Sequence, residues 1–70
     1  MLSKSKTKKL GKDLKTLGFT LEDLSDKVGR SVPYLRDIFR AEKYEFTIIK
    51  SLIDLRDKKK AELEELQEAI

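Results

Sequence analysis

The chain has 70 residues, 41% of them charged, a net charge of +3 and neither cysteine nor histidine. A chain this short makes one small domain of modest stability, because it buries little apolar surface relative to what it exposes on unfolding. Lacking Cys and His, it has no disulfide, no thiolate or imidazole metal site and no catalytic triad that needs an imidazole base.

The excess positive charge is confined to the N-terminus. Residues 1–18 carry six Lys against one Asp, whereas 19–46 and 47–70 each carry five basic and six acidic residues. Residues 1–9, "MLSKSKTKK", read as a basic flexible arm. Lys8, Lys9 and Lys12 are candidate phosphate contacts, since each Lys near a phosphate releases a counterion. The alternative is a solvated tail that aids solubility.

Leu10, Leu14 and Leu17 fall at i, i+4 and i+7 and are followed by Gly18, which predicts a first helix from about Lys6 to Leu17. Thr20 is an N-cap for the next helix, with Asp23 placed to complete a capping box and Phe19 with Leu24 to form a hydrophobic staple. Leu21, Leu24 and Val28 make the apolar stripe of this second helix, about residues 21–28, and Gly29 ends it.

The third helix is expected at about residues 33–40, with Pro33 in its first turn and Leu35, Ile38 and Phe39 facing inward. A residue before proline avoids the helical region, which favours Val32 over Ser31 as its cap. Thr47 is the expected cap of a fourth helix, with Ile48 or Ile49, Leu52, Ile53 and Leu55 buried. "DKKK" at 57–60 then interrupts the stripe, and Leu63, Leu66 and Ile70 resume it among Glu62, Glu64, Glu65 and Glu68. Residues 57–70 therefore form a charged C-terminal helix or extension, either frayed or held by a partner, and residues 10–56 the domain itself. The expected fold is all-α, a compact four- or five-helix domain.

Two short helices joined by a glycine turn define a helix-turn-helix. The stretch "FTLEDLSDKVGRSVPYLRDIF" resembles the motif of the phage Cro/repressor and Xre-type regulators, with Thr20, Leu24, Gly29, Ser31, Pro33, Tyr34, Leu35 and Ile38 on matching positions. Ser25 stands where the family has a small Ala. The resemblance implies a transcription regulator of a phage-type genetic switch. Its groove-facing positions carry over as Ser31, Val32, Pro33, Arg36, Asp37 and Arg40.

That face departs from the family. Arg36 and Arg40 suit guanine or phosphate, but there is no Asn or Gln, Asp37 repels phosphate, and Val32, Pro33 and Tyr34 form an exposed apolar patch. Phe39 and Arg30 also replace a family Glu and a family apolar residue. Glu22, Asp23 and Asp26 crowd the second helix, which in such regulators crosses the phosphate backbone. Two functions are consistent with this pattern. One is operator binding, with the third helix in the major groove of double-stranded DNA and a homodimer through Leu63, Leu66 and Ile70. The other is an antirepressor, similar to small temperate-phage modulators of repression, which grips a partner repressor through the second and third helices, Glu22 and Asp26 included.

Tyr34, Tyr44 and Phe46 are read as packing or interface residues, and the carboxylate pairs Asp54 and Asp57, or Glu64 and Glu68, as a solvated face. No catalytic constellation appears, so the chain is expected not to be an enzyme and to need no cofactor, metal or small molecule. The longest unbroken apolar run is two residues. With neither a membrane span nor a secretory signal in view, the cytoplasm of a bacterial host is the expected location.

Overall fold

The structure, a computed structural model, describes residues 4–69. It contains four helices and, among the described residues, no strand: α1 (Lys4–Thr16), α2 (Leu21–Val28), α3 (Val32–Phe39) and α4 (Phe46–Ala69). Both α1 and α2 pack against both α3 and α4. The core they enclose is aliphatic: Leu10, Leu14, Leu24, Leu35, Ile38, Ile48, Ile49 and Leu52 are all buried.

α1 starts earlier than the apolar spacing predicts, so the part of the basic arm from Lys4 to Lys9 is helical. Thr7, only 3% exposed, extends the buried stripe one turn upstream of Leu10 and Leu14, and that packing outweighs an N-terminal turn with no acidic residue. Residues 1–3 lie outside the described residues. Asp13 of α1 and Arg56 of α4 approach to 3.7 Å and tie the two long helices side by side.

The start of α2 is as the sequence predicts. Thr20 Oγ1 accepts from the Asp23 amide at 3.1 Å, Asp23 accepts from the Thr20 amide at 3.2 Å, and Gly29 ends the helix at φ 70°, a backbone state that a side chain makes costly. Ser25 donates its hydroxyl to the Arg30 carbonyl at 2.5 Å and pins the turn.

Two caps differ from expectation. Ser31, not Val32, caps α3, its hydroxyl accepting from the Tyr34 amide at 3.3 Å; this hydrogen bond outweighs the preference of a pre-proline residue, and Val32 enters the helix. Thr47 lies inside α4 rather than at its cap, because the helix begins one residue earlier: the Ile49 amide already bonds the Glu45 carbonyl, and the Thr47 hydroxyl donates to the Glu45 carboxylate at 3.2 Å. α3 ends with Ala41 at φ 63°, its amide on the Ile38 carbonyl and the Glu42 amide on that of Asp37, a Schellman closure made without glycine.

α4 runs unbroken through "DKKK" to Ala69, a span of roughly 36 Å at about 1.5 Å per residue. Lys, Arg, Glu, Ala and Leu are all strong helix formers and no Gly or Pro intervenes, so charge at 57–60 breaks the apolar stripe without breaking the helix. Its first half is sealed into the core by Ile48, Ile49 and Leu52, whereas from Ala61 to Gln67 every side chain is exposed.

Candidate nucleic-acid interface

The site begins with the turn that aims α3. Arg30, just after Gly29, points across the turn to the loop before α4, where its guanidinium holds Glu45 through Nη2 at 2.7 Å and Nε at 3.3 Å. The phenol of Tyr34, one turn into α3, donates to the same carboxylate. One acid thus takes hydrogen bonds from the turn, from α3 through Tyr34 and from α4 through Thr47. The Arg30 and Tyr34 donors pull the Glu45 carboxyl below the usual carboxylate range, while donating to that anion makes the Tyr34 phenol harder to ionise than usual. Asp23 is lowered as well, by the Thr20 backbone amide and then by its hydroxyl.

A second pair flanks this network. Lys43 reaches Asp37 at 3.5 Å and sits 5.0 Å from the centre of the Tyr34 ring, a cation–π distance. The positions expected from the sequence to face a groove therefore divide. Ser31 is spent on the cap, Tyr34 and Asp37 are half-buried and committed to neighbours, and Val32 is partly buried, so that of the apolar patch expected from the sequence only Pro33 is fully exposed. Arg36 and Arg40 remain exposed, and neither has a carboxylate within ion-pairing distance among the described residues.

Those two arginines do not stand alone. One turn apart, Arg36 on α3 and Arg40 at its C-cap, they border a cleft of about 660 Å³ whose opposite wall is α1, with Lys8, Lys12 and Lys15 at i, i+4 and i+7. The floor is Phe19, Leu21, Leu24 and Phe39, and no carboxylate lines it. Phe39 packs so close to α1 that a Cβ on Gly11 would meet its ring at 3.0 Å. Lys9, on another face of α1, lies outside the cleft, and Lys15 joins it; the 4- and 3-residue spacing of Lys8, Lys12 and Lys15 was the available signal. Glu22 and Asp26 are exposed on α2 and also lie outside the cleft, as do the exposed Leu63 and Leu66. Ile70 lies outside the described residues.

What the arrangement offers chemically is five cations converging on one open face, with the neighbouring acids Asp23, Asp37 and Glu45 already engaged. Among the described residues no group of three or more acids is placed to hold a metal ion, and no helix is long and apolar enough to cross a membrane. No known protein family, characterised protein or solved structure gives a significant match to this chain.

Proposed function

We propose that the protein is a small helix-turn-helix regulator of a phage-type genetic switch, which binds double-stranded DNA with α3 toward the major groove and α1 along the phosphates. The observation that carries this reading is the pairing of two unneutralised arginines, Arg36 and Arg40, on the outward side of α3 with Lys8, Lys12 and Lys15 across the cleft. Arginine is the side chain best matched to guanine edges and phosphates, and lysines supply the sequence-independent attraction. The tethering of Asp37 to Lys43 supports the same reading, because it offsets part of the repulsive charge on this face. Arg30, Tyr34 and Glu45 serve it by fixing the angle at which α3 leaves the turn.

Gel retardation of DNA from upstream of the protein's own gene tests the reading. A shifted band that is lost in the Arg36→Ala, Arg40→Ala double variant supports it, with roughly 1–3 kcal/mol expected for each base contact removed. No shift at tens of micromolar protein, on the order of the weakest nonspecific binding, removes it.

A second reading rests on α2. Glu22 and Asp26 are one turn apart, exposed, and without an ion-pair partner among the described residues, which suits the basic DNA-reading face of another repressor. An antirepressor of this kind would co-elute with that repressor on a sizing column, and the complex would weaken in Glu22→Ala.

A further inference from the structure

The cleft between α1 and α3 is more apolar at its floor than phosphate binding requires. Phe19, Leu21, Leu24 and Phe39 line it beneath the five cations, a combination suited to an amphipathic acidic helix, whose leucines meet the floor and whose carboxylates meet the rim. The chain itself carries such a helix. Residues 61–69 hold four Glu and no Lys or Arg, and Leu63 and Leu66, 37% and 62% exposed, stand beside Glu62 and Glu65 in the part of α4 that covers none of its own core.

We infer that the distal half of α4 seats in the α1–α3 cleft of a second copy of this chain, and the second copy's α4 in the first. Being unbroken, α4 does not fold back onto its own body, so its acidic end is free for another molecule. Phe19 lines both this cleft and a smaller one that Leu55, Lys58 and Glu62 of α4 form with Lys27 of α2, just before the exposed end of α4. Each tail thus departs next to the site at which the partner's tail enters, and the exchange closes as a self-complementary two-fold dimer. A tail-to-tail coiled coil is the weaker arrangement: positions 56 and 59, which precede Leu63 and Leu66 by one heptad, are Arg and Lys. A seated tail covers Arg36 and Arg40. On the DNA-binding reading above, self-association therefore competes with DNA.

Sedimentation equilibrium without nucleic acid tests the dimer separately from that reading. Two double variants reverse exposed charges on either side of the contact: Lys12→Glu with Arg40→Glu in the cleft, and Glu62→Lys with Glu65→Lys on the tail. The full chain should dimerise, each variant alone should weaken dimerisation at least tenfold while keeping its helical circular dichroism, and an equimolar mixture should recover a heterodimer, since its two contacts both pair opposite charges. A full chain that stays monomeric up to about 1 mM, the range of the weakest specific contacts, overturns the inference. So does a cleft variant that dimerises as well as the parent, which would place tail against tail, or a mixture that fails to associate.

Discussion

The carboxylate of Glu45 and the guanidinium of Arg30, fifteen residues apart in sequence, meet at 2.7 Å and fix the turn of the helix-turn-helix to the loop before α4. Tyr34 joins them, so that one acid links the turn, α3 and the loop before α4. Because Glu45 is held below its ordinary range, its contribution to stability is present above the ordinary carboxylate value and is lost as pH falls through the lowered one; Asp23 behaves alike. Tyr34 is raised, so its contribution is present below its ordinary value and lost as pH climbs through the raised one. Thermal denaturation should therefore show a plateau across neutral pH, with Tm falling below about pH 4 and above about pH 10. Glu45→Gln should lower the plateau, flatten the acid limb and return the phenol titration toward its ordinary midpoint. An unchanged phenol titration in that variant would contradict the Tyr34 contact.

Ala41 occupies a left-handed position that glycine would hold without strain. Ala41→Gly should raise stability by about 0.5–1 kcal/mol, since the relief of a left-handed Cβ exceeds the added chain entropy of glycine. Urea denaturation with an unchanged slope reads this directly; a loss of stability would show that the Schellman turn is not what ends α3.

Leu35 and Ile38 lie wholly buried where α3 meets the core. Leu35→Ala should cost about 2–5 kcal/mol, a large part of the stability of so small a domain, and the outcome is measured by the denaturation midpoint. A cost below 1 kcal/mol, roughly the value for a surface site, would mean that α3 is not packed as described.

Asp37 separates the two functional readings. Its pairing with Lys43 is at the surface, so Asp37→Ala should change stability by no more than about 1 kcal/mol. On the DNA-binding reading, affinity should stay equal or rise, because an acid leaves the face proposed to meet DNA. A fall in DNA affinity without a change in fold would count against α3 as the reading helix.

Most of the fold was legible because its signals are local. The capping box at Thr20 and Asp23, the left-handed Gly29 and the apolar stripes of α2 and α3 each lie within a few residues of chain. The early start of α1 was hidden because Thr7, the buried residue that drives it, is polar by type. The continuity of α4 was hidden because periodicity reports which face is covered, not whether the backbone is helical. The site was legible in part: Arg36 and Arg40 stood out by type and spacing, but the role of Glu45 depends on partners 11 and 15 residues away, which no local pattern reports. Likewise, Lys15 belongs with Arg36 and Arg40 only because α1 and α3 pack side by side.

The most direct test of the central claim, that one basic face formed by α1 and α3 engages DNA, is the salt dependence of binding measured by fluorescence anisotropy. A log–log slope of about −0.9 per phosphate contact is expected on duplex DNA, so replacing Lys8, Lys12 and Lys15 by Ala should flatten the slope by about that amount for each lysine that contacts a phosphate. A slope unchanged by all three substitutions, or no binding at low salt, would contradict it.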